Sequence, residues 1–344
     1  MKKGVTMKDI AETLNVSVVS VSKALGDRDG VGGELKEKII KLANEMGYRY
    51  NTLARSMKEG CSYNIGVVVA ERFLGSKQPF YLNFYRYISI LLEKYEYYGI
   101  LHVLTAADEE SLVLPKPYYE KKVDGLIVLG QVGKPYIEVL QDIEIPIVFL
   151  DFYDEHADID AVITDNFYGA YEIANHLIKN GHRDIAFVGN IYATSSIQDR
   201  FLGYYKSLLE HRIPLREDYI VCDRDACGKY IELGLPAELP TAFVCNCDEV
   251  ARSLILRLDG MGLSVPGDVS VVGFDNDIYA TISAPHITTV EVDVEEMAKT
   301  AIKFVIDKIS KEKRFGRISV KGRIVYRDSV KNIGPVRAPV NKGQ

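Results

Sequence analysis

The stretch NVSVVSVSKAL, residues 15–25, can be read in two ways. Valine and serine nearly alternate from Val16 to Ser22, the pattern of a half-buried strand. Just upstream, MKDIAETL places Ile10, Ala11 and Leu14 at helical spacing, with Thr6 as N-cap and Asp9 in the first turn. A strand needs strict alternation, and Val18-Val19 breaks it. A second helix that starts after Asn15-Val16-Ser17 resolves the pattern. Asn15 then sits at the turn, where it tolerates positive φ, and Ser17 caps. Ala11 is the small residue where the two helices touch. Ile10, Leu14, Val16, Val21 and Ala24 form the core, with Leu25 also turned inward. The weak helix propensity of the run is overridden by packing.

A third helix is expected from Gly33 to Met46, with Leu35, Ile39, Ile40, Leu42, Ala43 and Met46 on its apolar face and Gly47 closing it. Its start, Val31-Gly32-Gly33, carries no capping hydroxyl, an expected loss of ~1 kcal/mol. In a helix-turn-helix the second helix enters the major groove of DNA. Ser20, Ser22 and Lys23 can hydrogen-bond bases or phosphates there. Val18 and Val19 offer only apolar contact, for example to thymine methyls. The alternative for these residues alone is an ordinary helical hairpin on an enzyme.

Charge agrees with a head that meets an anion. Residues 1–60 carry eleven Lys/Arg against eight Asp/Glu, whereas the whole 344-residue chain has a net charge of −6. Beyond residue 63 the pattern changes. NIGVVVA (64–70), YGILHVL (98–104), DGLIVLG (124–130), IPIVFLD (145–151), DAVITD (160–165), DIAFVGN (184–190), TAFVCN (241–246) and VSVVGFD (269–275) are continuous apolar runs, expected as buried parallel strands. Helical stretches separate them: 82–97, 135–141, 169–180, 200–210, 247–260 and 295–311. This alternation predicts a doubly wound α/β body of two lobes. The expected divisions are a head at 1–50, a hinge helix and linker at 51–63, a core at 64–330 and a tail at 331–344.

The motifs, taken in order, identify a family. The head reads VTMKDIAETLNVSVVSVSKAL, then GYRYNTLARSM. The body reads VDGLIVLG, TDNFYGAYEIANHLIKNGHRDIAFVGN, DRFLGYYKSLLEHRIP, PTAFVCNCDEVA, VPGDVSVVGFDN, SAPHITTV and IVYRDS. Over roughly residues 5–330 the chain closely resembles the lactose-repressor/galactose-repressor family of bacterial transcription regulators. The resemblance implies an all-α helix-turn-helix head and a core like the periplasmic sugar-binding proteins. It implies a homodimer on a pseudo-palindromic double-stranded operator, and a small-molecule effector, a sugar, that controls operator affinity. The DNA contacts so implied are Thr6, Ser17, Val18, Val19, Ser20, Ser22 and Lys23, followed by Asn51, Ala54, Arg55 and Met57 of a hinge helix that wedges the minor groove. The family places leucine at the wedge, where this chain has Met57, and proline before the hinge Asn, where it has Tyr50.

The effector contacts implied are Phe80 and Tyr81 as an aromatic pair, with Arg200 and Asp275 as a charged clamp on vicinal hydroxyls. Where the family has Asn-Asp this chain has Cys247-Asp248. Cys247 cannot reproduce an amide's hydrogen bonds, so the contact is either lost or taken by Asn246. The C-x-C spacing of Cys245 and Cys247 is poor for zinc, and no cofactor or metal is expected. The five cysteines form no disulfide framework, no apolar signal-peptide core follows Met1, and no apolar run spans a bilayer, so a cytoplasmic, membrane-free setting is expected. Rival functions are a sugar-binding or sugar-modifying protein of the same core fold, and a doubly wound enzyme. The chain has no G-x-G-x-x-G, G-x-x-x-x-G-K-[ST], G-x-S-x-G or H-E-x-x-H, so no catalytic residue is assigned.

Overall fold

The computed structural model describes residues 5–26, 29–48, 56, 59–74, 80–225, 228–311 and 313–334. The chain divides into two compact units, Met1–Cys61 and Ser62–Gln344.

The described residues of the first unit include three helices: α1 (Met7–Leu14), α2 (Val18–Leu25) and α3 (Gly33–Glu45). Thr6 and Asp9 form a reciprocal capping box at the start of α1. Asn15 ends α1 at φ 51°, and Ser17 caps α2 by accepting the Ser20 N–H at 3.0 Å. Gly47, at φ 68°, ends α3 in a Schellman turn in which Tyr48 N–H donates to Ala43 O. The run that alternates like a strand is therefore helical, because Val21 and Ala24 are buried against Ile10, Ala11, Ile39 and Ala43. Gly32 caps α3 with no side-chain bond, as its sequence implies. One expectation is corrected: Ile40 is exposed, because it lies a full 100° round the helix from buried Ile39.

The second unit has two lobes, each a parallel sheet. In the N-terminal lobe the strands are β1 (Asn64–Ala70), β2 (Tyr98–Leu104), β3 (Gly125–Leu129), β4 (Ile147–Leu150), β5 (Asp160–Thr164) and β11 (Arg317–Val320), in the order β11-β5-β4-β3-β1-β2. In the C-terminal lobe β6 (Ile185–Val188), β7 (Ile220–Val221), β8 (Ala242–Cys245) and β9 (Ser270–Val272) run in the order β7-β6-β8-β9. β10 (Thr289–Glu291) pairs antiparallel with β12 (Arg323–Val325). Helices cover both faces. They are α4 (Phe80–Leu92), α5 (Ala106–Glu110), α6 (Lys116–Tyr119), α7 (Lys134–Gln141), α8 (Asn166–Lys179), α9 (Ser195–Glu210), α10 (Asp248–Gly260), α11 (Ile278–Ile282) and α12 (Val294–Lys311).

The continuous apolar runs follow from this layering. Ile127 and Leu129 face one core while Leu126 and Val128 face another; Phe187 and Val188 divide in the same way in the second sheet. Gly203 lets α9 lie directly on α8: a Cβ there would fall 2.0 Å from Phe167 O.

The sequence expectations err where burial is one-sided. β2 is an edge strand, largely half-exposed rather than buried, although its run is as apolar as the others. β7, β10, β11 and β12 went unread because two to four residues give no period. The antiparallel β10–β12 pair adds to the two parallel sheets. Helices α4, α8 and α9 start two to five residues earlier than expected; in α9 the added first turn, Ser195-Ser196-Ile197-Gln198, is mostly polar, and Thr194 caps it. Hydrogen bonding to the C-terminal lobe continues through Lys331 and Ile333.

Candidate functional site

Two features carry chemistry. The first is α2. Its amino-terminal half presents Val18 and Val19, 45% and 64% exposed, on the side away from the three-helix core. Ser20, Ser22 and Lys23 are half-buried. Ser17 and Ser20 hydroxyls lie 2.9 Å apart, and the Thr6 hydroxyl donates to Asp9 at 2.7 Å, so these three hydroxyls already have partners within the head. Asn51, Ala54, Arg55 and Met57 lie outside the described residues.

The second is a chamber of about 100 Å³ at the carboxyl ends of the strands in both lobes, continuous in its lining with an outer cleft of about 760 Å³. The N-terminal lobe supplies Phe73 after β1, Phe80 and Tyr81 from the first turn of α4, and Asp151 at the end of β4. The C-terminal lobe supplies Arg200 from α9, Asn246 and Cys247 after β8, Asp275 after β9, and Asp277 and Tyr279 at α11. All five sequence-derived effector residues thus meet in one chamber.

Arg200 is 5% exposed and held on three sides. Its Nε donates to Asn166 Oδ1 at 2.8 Å, its Nη1 donates to Asn246 O, and its guanidinium stacks over Phe274 at 3.8 Å. Nη2 lies 3.2 Å from Asp275 Oδ1, an ion-pair distance without hydrogen-bond alignment. Asp275 has φ 106°, fixed by Asp275 N–H donating to Val290 O, and Asp151 has φ 68°, fixed by its N–H donating to Val162 O. Asp151 and Asp275 therefore project from strained strand ends.

Burial dominates their protonation. It pushes Asp275 up to about 8 and Asp151 up to about 6, while Arg200 pulls each back down. Asp277 is likewise pushed up to about 6 by burial. Tyr81 donates to Asp151 Oδ2 at 2.9 Å; Asp151 Oδ1 is buried without a partner. The Cys247 thiol is pushed upward, first by burial, so it stays protonated.

Asn246 lines the chamber, but its amide is occupied. Nδ2 donates to Val188 O and Asp223 Oδ2, each at 2.9 Å, while Oδ1 accepts from Arg224 at 3.2 Å. Cys247 Sγ lies 3.9 Å from the Tyr230 hydroxyl. At the rim, Tyr153 donates to Asp199 at 3.0 Å and Ser195 donates to Gln131 Oε1 at 3.2 Å, joining the lobes.

Sequence reasoning passed over Asp151, Asp277, Tyr230 and Arg224. Asp151 carried a usable signal: it closes IPIVFLD as Asp275 closes VSVVGFD, a carboxylate straight after a buried strand. Tyr230 and Arg224 arrive from a loop after β7 and carried none.

A solvent-facing second helix of a helix-turn-helix, and a two-lobed core with a polar, aromatic-walled cleft, are the parts of a DNA-binding transcription regulator. Residues 6–51 match the family described as bacterial regulatory proteins, lacI family, and residues 174–330 match the periplasmic binding protein-like domain. The HTH-type transcriptional regulator RegA of Clostridium saccharobutylicum is 30% identical over 317 residues, covering 89% of this chain and 93% of that one. The HTH-type transcriptional repressor PurR of Vibrio parahaemolyticus is 28% identical, covering 95% and 99%. Among solved structures, the lac repressor dimer bound to operator and the anti-inducer ONPF has a TM-score of 0.76 at 21% identity, covering 96% and 100%. A LacI family regulator from Enterococcus faecium with bound ribose has a TM-score of 0.66 at 26% identity, covering 79% and 100%. The chain belongs to the lacI family of bacterial regulatory proteins. Among the described residues no helix is long and apolar enough to cross a membrane, and no group of His, Cys, Asp and Glu could hold a metal ion.

Proposed function

We propose that this regulator is a repressor that binds a pseudo-palindromic operator as a homodimer and is switched by a sugar bound in the cleft. The observation that carries this is the convergence of Phe80, Tyr81, Arg200, Asn246 and Asp275 on one chamber between the lobes. Carboxylates and a guanidinium beside aromatic faces suit a polyol, whose hydroxyls bond in its plane while its C–H face stacks.

In this reading α2 lies in the major groove. Val18 and Val19 meet thymine methyls; Ser22 and Lys23 reach bases or phosphates; Thr6, Ser17 and Ser20 anchor the helix ends at the backbone. Asn51, Ala54, Arg55 and Met57 serve the minor groove. The dimer forms through α4 and edge strand β2, which leave Leu82 and Ile90 exposed on the helix and Tyr98 and Val103 exposed on an unpaired sheet edge. The effector acts by linkage: it binds one lobe arrangement better, and that arrangement has different operator affinity. Arg200 and Asp275 are the clamp, and Asn246 positions it, holding Arg200 through its carbonyl and Arg224 through its amide.

The test is selection of bound DNA from a random pool with the purified protein, then operator affinity with and without members of a sugar panel. A palindromic site whose affinity changes with a bound sugar is expected. A single-half-site product, or an affinity that no bound ligand alters, refutes the proposal.

A further inference from the structure

We infer that the effector is a cationic polyol, an amino sugar, held by its ammonium between Asp151, Asp275 and Asp277. This rests on the sugar reading above and deepens it.

Charge inside the chamber selects the sign of its ligand. Three arginines line it, and each already faces a carboxylate. Arg72 Nη1 lies 2.5 Å from Glu109, Arg224 Nη2 lies 2.7 Å from Asp223, and Arg200 Nη2 lies 3.2 Å from Asp275. Among the described residues Asp151 and Asp277 have no ion-pair partner. Asp277 accepts the Tyr279 N–H at 2.8 Å as the cap of α11. Asp151 accepts only the Tyr81 hydroxyl on one oxygen, and its other oxygen is buried with no donor. Arg200 is thus the one guanidinium pulling on both Asp151 and Asp275.

A chamber so arranged has acceptors to offer and no spare cation. An anionic ligand would bring a further negative charge beside carboxylates whose only cation is engaged. A neutral sugar could satisfy the orphan oxygen with one hydroxyl but would leave the charge uncompensated. An ammonium supplies three donors and the missing positive charge. The walls fit the same cation: Phe73, Phe80, Tyr81, Tyr230 and Tyr279 surround the carboxylates, and aromatic faces attract an ammonium. Burial pushes Asp151, Asp275 and Asp277 upward, and an ammonium seated among them would draw each back toward its charged form, as Arg200 already does for Asp151 and Asp275.

The test uses isothermal titration of the full-length protein with triads of hexoses in gluco, galacto and manno configuration. Each triad contains the neutral sugar, its 2-amino derivative and its uronate. At least one amino sugar is expected to bind about tenfold or more tighter than its neutral parent, the effect of one favourable charge contact of ~1.4 kcal/mol, with the uronate weakest. In Asp151→Asn, checked for folding by thermal melting, that ratio falls toward one while neutral-sugar affinity changes less. Asp277→Asn is the second variant, for use if the first does not fold. A neutral hexose binding as well as its amino partner, or a uronate binding best, overturns this inference and leaves the sugar reading standing. Silence from every triad overturns both.

Discussion

Arg200→Lys probes the clamp and can be worked from the distances. Arginine here serves three acceptors at once: Asn166 Oδ1, Asn246 O and Asp275. It also lies 3.8 Å over Phe274. A lysine ammonium sits at one point on a flexible stem and cannot span acceptors on α8, the β8 loop and the β9 loop together. It keeps a positive charge near Asp275, but two hydrogen bonds from a charged donor are lost at a buried site. At about 1.5–3 kcal/mol each, the loss is about 3–6 kcal/mol before relaxation. With about 1.7 °C per kcal/mol, from an unfolding entropy of about 2.1 cal/mol/K per residue over Ser62–Gln344, the expected fall in melting temperature is about 5 °C or more. The assay is thermal and urea unfolding, with Arg314→Lys as control; Arg314 pairs with Asp158 where both are over 70% exposed, so its exchange should alter stability by well under ~1 kcal/mol. Sugar-dependent change in operator affinity should vanish in Arg200→Lys. A melting temperature shifted no more than that of the control would refute the reasoning.

Four further outcomes are expected. Gly203→Ala places a methyl 2.0 Å from Phe167 O and must push α8 and α9 apart, so stability should drop by about 3 kcal/mol or more, read from the urea midpoint; an unchanged midpoint contradicts the close contact. Asp275, held near 8 in the folded state, keeps a proton that the unfolded chain has released, so unfolding free energy should fall as pH rises from 6.5 to 8, by at most ~1.4 kcal/mol per unit. Asp275→Asn should flatten that slope, and a wild-type slope of zero or opposite sign refutes the shift. Val18→Ala with Val19→Ala should change which sites are selected more than total affinity, and thymine-to-uracil exchange at the contacted positions should weaken wild type more than the variant; equal loss on all DNA counts against methyl readout. Ile90→Lys, on the exposed face of α4, should shift sedimentation from dimer toward monomer; an unaltered dimer would move the interface elsewhere.

Legibility in the sequence followed the density of local signals. Thr6, Asn15, Ser17 and Gly47 carry cap and turn chemistry that acts within three or four residues, so the head could be read to within a residue at its helix ends. Buried strands announced themselves because both faces of each sheet are covered. Edge strand β2 misled for that reason: its residues are as apolar as those of β1, yet Tyr98 and Val103 stay exposed among the described residues. Asp151 was passed over although it repeats the signature of Asp275, because one carboxylate at a strand end has many structural roles. Asn246 was named as a ligand contact from its position alone; only its neighbours Val188, Asp223 and Arg224 reveal that the amide is in use.

By itself, the sequence determined element identity, the order of the motifs, the head and its exposed valines, and the family. These depend on hydrophobic period and capping, which are local. The tertiary structure decided which strand ends converge, that Asp151 faces Asp275 from the opposite lobe, and that each arginine of the chamber is already engaged. Such facts depend on which strand ends and loops folding brings around one cavity, Asp151 and Asp275 among them from opposite lobes, and no local pattern encodes the balance of charge in a cavity that only folding creates.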